Sequence, residues 1–190
     1  LNTITTLLDK NRVEDAERLI SKYPGTSPGL VFQQGALAFR KGDYPLAQSL
    51  FREAARRASE KTAESALFNE NLAALNANDA AGAAALVKEA AGSAQLREHI
   101  LFEQAHYAAK RMNPQAPELL ASFVALATDP ALKTQARLDQ AEVALNLNPP
   151  DLETVQAILP PLEKEQLTPE QTMQLARLNI LEAESRQEWP

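Results

Sequence analysis

The stretch LVFQQGALAFRKGDYPLAQSLFREAARRA, Leu30 to Ala58, holds two amphipathic helix patterns on either side of a turn too short to let them part. Val31, Gln34, Gly35, Ala38 and Phe39 keep helical spacing, and Gly42-Asp43 then breaks the run. Glycine permits the reversal, Asp43 is placed to cap the helix that follows, and Pro45 falls in a first turn, where its missing amide has no bond to lose. The second pattern presents Ala47, Leu50, Phe51 and Ala54 on one face. Two helices joined this tightly pack antiparallel, and one such hairpin cannot bury its apolar faces alone. The chain must supply neighbours.

It does so at a nearly constant step. In LFNENLAALNANDAAGAAALVKEA, Leu67, Asn71, Ala74 and Leu75 precede an Asn78-Asp79 turn, and Ala83, Val87 and Ala90 repeat the second-helix face, Ala83 lying 36 residues after Ala47. Upstream, DKNRVEDAERLISKY predicts a turn at Asn11 and a face of Ala16, Ile20 and Tyr23, with Ala16 lying 31 residues before Ala47. Downstream, HILFEQAHYAAKRM, with Ala105 and Ala108, pairs with APELLASFVALA across the Asn113-Pro114 break. LKTQARLDQAEVALNL, with Ala141 and Ala144, pairs with DLETVQAIL. The turns of these two pairs, MNPQAP and NLNPP, depart from the glycine-aspartate form. The alanine-rich AAGAAALVKEAAGSAQ reads as a packed helix with a glycine C-cap near Gly92. Thr168-Pro169-Glu170-Gln171 reads as a capping box that opens a last helix, with a further turn expected at Gln187-Glu188-Trp189.

Gly35, Gly42-Asp43-Tyr44, Ala47, Phe51 and Ala54 together resemble the signature of the tetratricopeptide repeat, with Val31 where that family often carries tryptophan. Small residues at Gly35 and Ala47 let paired helices approach, and Phe51 fills the gap to the next pair. The resemblance implies an all-α fold, a right-handed superhelical solenoid of antiparallel helix pairs. Residues 1–190 would form a single repeat domain: a partial repeat at 1–27, repeats at about 28–61, 62–96, 97–130 and 131–167, and a partial repeat at 168–190. Both ends cut through a repeat, so a slice of a longer, bacterial protein is expected.

Charge and composition narrow the chemistry. A net charge of -6 gives no source for nonspecific phosphate attraction, so no nucleic acid is expected as a partner. The basic residues Arg52, Arg56, Arg57 and Lys61 are interleaved with Glu53, Glu60 and Glu64 and read as a solvated face with i,i+4 pairs. With 0 cysteines there are no disulfides or thiolate sites, and no apolar run approaches the ~20 residues of a membrane span. His99, Glu103 and His106 share one helical face, but a fourth metal ligand is missing. No phosphate loop or nucleophile elbow is present. No catalytic residue, metal or cofactor is expected.

Binding is the remaining class. Aligning the repeats on their small residues puts Phe32, Phe68, Phe102 and Leu138 in one row, at spacings of 36, 34 and 36 residues, and Phe39, Leu75, Ala109 and Leu145 in a second. The resemblance implies that first helices line a concave groove, whose candidate residues are Phe32, Phe39, Phe68, Leu72, Leu75, Phe102, His106, Leu138 and Leu145. A protein or peptide partner would use the phenylalanines as anchors. Equally, the rows would serve as packing between neighbouring first helices, or as a seat for another part of the same protein. Phe32 and Ala36 occupy positions where a clamp for a C-terminal carboxylate would need polar side chains. The expected function is a non-catalytic scaffold for protein or peptide binding; the alternative is a structural spacer or self-association module.

Overall fold

A computed structural model describes residues 2–23 and 25–186, and among these every regular element is helical. The Gln187-Glu188-Trp189 turn expected from the sequence lies outside the described residues. Eleven α-helices follow one another: α1 (Asn2–Asp9), α2 (Val13–Ile20), α3 (Pro28–Arg40), α4 (Tyr44–Arg57), α5 (Glu60–Asn76), α6 (Ala80–Glu89), α7 (Ala94–Lys110), α8 (Ala116–Leu126), α9 (Pro130–Leu145), α10 (Leu152–Leu162) and α11 (Pro169–Ser185). By contacts the chain divides into two compact units, Leu1–Ile100 and Leu101–Pro190, the boundary falling within α7. None of the helices is long and apolar enough to cross a membrane.

One backbone device closes four of the hairpins. Asn11, Gly42, Asn78 and Met112 all take the left-handed conformation, with φ of 55°, 79°, 59° and 50°. Each donates its amide to the carbonyl three residues back, on Leu8, Phe39, Leu75 and Ala109 respectively. The residue after each, Arg12, Asp43, Asp79 or Asn113, donates to the carbonyl five back, on Leu7, Ala38, Ala74 or Ala108. This is the Schellman arrangement, which satisfies carbonyls that a helix end would otherwise leave unbonded. The α9–α10 turn reaches the equivalent point by a longer path, through a cis Asn148–Pro149 peptide. There Asp151 donates to Ala144, and its side chain accepts from the Thr154 amide, as Asp43 accepts from Leu46 and Asp79 from Gly82.

In unit 1, Ile4, Leu8, Ala16, Ile20, Leu30 and Leu37 bury α1, α2 and α3 against one another. Gly35 lies directly under the Phe51 ring: a Cβ there would stand 2.9 Å from Phe51 Cδ1, so α3 and α4 approach as closely as they do because the residue is glycine. Ala47, Phe51 and Ala54 are all buried, as the α4 pattern requires. On α6 the buried residues are Ala83 and Leu86, with Ala90 buried just beyond its end, while Val87 is only partly buried. The helix does not end on a left-handed Gly92. It tightens into a 3-10 turn over Ala90–Gly92, closed by the Ser93 amide on the Ala90 carbonyl.

In unit 2, Phe102, Ala105, Ala108, Ala116, Leu120, Phe123, Ala136 and Val143 join α7, α8 and α9. A second cluster, including Leu138, Ala141, Leu145, Leu159, Leu162, Leu175 and Leu178, joins α9, α10 and α11. The Thr168 capping box forms as read: its hydroxyl accepts from the Gln171 amide while Gln171 Oε1 accepts from the Thr168 amide.

Candidate functional site

Phe68 sits on α5 in a shallow cleft of about 300 Å³ whose other wall is the start of α7. Both helices belong to unit 1 at this point. Phe68 is partly buried: its ring packs on the Leu86, Leu96 and Ile100 cluster and meets the His99 ring edge to face at 6.3 Å. Around this apolar floor stand Lys61, Glu64, Ser65 and Asn69 from α5 and Gln95 from α7. The Ser65 hydroxyl donates to the Lys61 carbonyl and Asn69 Nδ2 donates to the Ser65 carbonyl. Both side chains therefore keep an oxygen free to accept from a ligand. The cleft thus combines two rings, side-chain amides and one charge of each sign, groups suited to recognising a peptide.

The remaining candidates are distributed differently. In unit 1, Phe32 packs edge to face on Phe51 at 5.3 Å and Phe39 on Tyr44 at 5.2 Å. Both are partly buried, as are Leu72 and Leu75. In unit 2, Leu138 is fully buried and Phe102 and Leu145 nearly so, all three inside core clusters. A partner cannot touch them without opening that core. His106 is the exception in this unit, with its side chain 29% exposed.

His106 belongs to a polar cluster that the sequence reading did not assemble. Its Nδ1 lies 2.5 Å from Asp139 Oδ2, and its ring stacks on Phe102 at 5.4 Å. Asp139, 1% exposed, also accepts from Gln135 and Gln174. Glu142, one turn along α9, accepts from Lys110 of α7 and pairs with Arg177 of α11. The Asp139 hydrogen bond, opposed by burial, raises the His106 imidazole above its usual range. Burial pushes Glu142 upward, but hydrogen bonds from Arg177 and Lys110 outweigh it and hold the carboxyl below its usual range.

A second buried carboxylate, also unanticipated, lies in unit 1. Glu70 on α5 is fully buried and is met by Arg52 of α4, with Arg52 Nε at 2.6 Å from Oε1. Its Oε2 has no hydrogen-bond partner. Burial pushes Glu70 up more than the Arg52 bond brings it back. The solvated basic face expected at Arg52, Arg56, Arg57 and Lys61 holds for Arg57, which pairs with Glu53 at i,i+4, but not for Arg52, which turns inward to the buried Glu70. The available signal was Glu70 itself, an acid placed between the apolar positions Leu67 and Ala74. Among the described residues no group of three metal-ligating side chains converges.

No protein-family model, curated protein or solved structure matches the chain.

Proposed function

We propose that this chain is a tetratricopeptide-like repeat domain, its hairpins stacked in a right-handed superhelical solenoid, acting as a non-catalytic scaffold that binds a protein or peptide segment. The site is the α5–α7 cleft, with Phe68 as the apolar anchor point and Asn69, Gln95 and Ser65 as the polar rim. The observation that carries this reading is that Phe68 lines an open cleft while Phe102 and Leu138, its counterparts in the sequence row, are buried. The repeated left-handed turn at Asn11, Gly42, Asn78 and Met112 supports the repeat assignment, because it recurs at the period of the side-chain pattern.

The test is capture of binding proteins from source-cell extract by the wild-type chain, by Phe68→Glu and by Gln95→Arg, with melts recorded for all three. Partner loss in both variants, with the Gln95→Arg melt unchanged, supports the cleft. Equal capture by all three sinks it. The alternative, a spacer or self-association module, draws on the exposure of Leu126, Met173 and Ile180, which are 71%, 74% and 58% accessible. It predicts a sedimentation coefficient that rises with concentration and falls back in Met173→Glu/Ile180→Glu.

A further inference from the structure

In unit 2 the buried Asp139 carboxylate has four polar neighbours, and they differ in what they can do. Gln135 and Gln174 donate neutral hydrogen bonds at 3.2 and 3.5 Å. Lys110 Nζ stands at 4.0 Å and is itself bonded to Glu142. His106, at 2.5 Å, is the nearest and the one whose charge changes near neutral pH. Its ring is held by the Phe102 stack, so protonation changes the strength of a contact between helices without requiring a new rotamer. We propose that His106 and Asp139 form a proton-operated latch between α7 and α9, closed when the imidazole is charged and weakened when it is neutral.

The surrounding charges are consistent with this assignment. From α7 itself, Lys110 opposes protonation and Glu103 favours it. From α9 come Asp139 and Glu142, the latter engaged by Lys110 and by Arg177 of α11. From α8 the apolar residues Ala116, Leu120 and Phe123 enter the shared core with Val124 packed against it, and the one charged residue of α8, Glu118, is exposed. A histidine whose folded pKa is raised contributes stability that is complete below its unfolded value of about 6.5 and is lost as pH rises through the folded value. The latch therefore holds under mildly acidic conditions and loosens toward alkaline pH. This inference is independent of what the Phe68 cleft binds.

The experiment is an NMR titration of the histidine ring signals in the full chain, assigned with His106→Gln, alongside hydrogen exchange of the α9 amides at pH 6 and 8.5. The expected result is a His106 midpoint above about 6.5 that falls by about one unit or more in Asp139→Asn. After correction for intrinsic rates, α9 protection should drop by up to about tenfold between the two pH values in the wild type and stay level in His106→Gln. A His106 midpoint at or below about 6.5 would overturn the proposal. So would an α9 protection change that is the same with and without the imidazole. If Asp139→Asn does not fold, the wild type and His106→Gln decide the matter between them.

Discussion

The two units each bury a carboxylate on a first helix, and they satisfy it in different ways. In unit 1, Glu70 is met by a single arginine from the neighbouring helix and leaves one oxygen without a bond. In unit 2, Asp139 gathers donors from α7, α9 and α11, so that one oxygen serves His106 and the other the two glutamines. A lone pair concentrates its energy in one contact, whereas a network spreads it over several. The first arrangement should fail abruptly and the second by degrees.

The largest expected effect comes from removing the cation in unit 1. Arg52→Met strands a fully buried carboxylate and should cost about 3 kcal/mol in a urea melt, whereas Glu70→Met, which leaves a partly exposed arginine able to reach water, should stay within about 1 kcal/mol. Equal losses from the two would remove the asymmetry. Next in size, Asp139→Asn should cost about 2 kcal/mol, because it weakens several bonds at once while keeping the side-chain shape. A loss as large as that of Arg52→Met would show that unit 2 also depends on one contact.

Acid and base should separate the units further. Glu70 has a raised folded pKa, so its protonated form favours the fold, and its contribution declines as pH rises from about 4.3 through the folded value. Glu142 has a lowered one, so the stability it provides is complete above about 4.3 and lost as pH falls through its folded value. Residue-resolved hydrogen exchange at pH 3 to 5 should show α9 losing protection in the wild type and less so in Glu142→Gln. The same pattern in both proteins would mean that Glu142 carries no linkage.

The smallest effect concerns a turn. Unit 1 places asparagine or glycine at its left-handed positions, while unit 2 places Met112 at φ 50° with its side chain about half exposed. Met112→Gly should stabilise by about 0.5–1 kcal/mol, the strain of a side chain in that conformation exceeding the flexibility that glycine adds. Gly42→Ala should destabilise by about 1 kcal/mol for the converse reason. A thermal melt of each variant reads the sign directly.

Sequence patterns located the helices well because the signals at their ends are local. Gly42-Asp43, Asn78-Asp79 and Thr168-Pro169-Glu170-Gln171 each act within a few residues, and each does in the structure what its chemistry suggests. The buried face of α6 runs through Leu86 rather than the expected Val87, because a run of alanines leaves the helical phase poorly marked. Among the candidate groove residues, periodicity does not distinguish a side chain that lines a cleft, such as Phe68, from one that fills a core, such as Leu138. Phe68 and Leu138 differ in surroundings more than in spacing. The polar clusters were hidden for another reason. Arg52 and Glu70 lie 18 residues apart, and His106 and Asp139 33 apart, on different helices, so no window along the chain contains the contact.

The way the α9–α10 turn is built has a consequence for engineering. Its extra residues are inserted between the end of one helix and the aspartate that starts the next, and the bond from Asp151 to the Ala144 carbonyl still forms. The helices on either side keep their register because the closing bond joins two backbone positions and ignores what loops out between them. Leu147 to Pro150 are exposed, so this is the place to graft a peptide epitope or a fluorophore attachment site into unit 2. The turns at Asn11, Gly42, Asn78 and Met112, whose closing bonds span a fixed five residues, offer no such allowance.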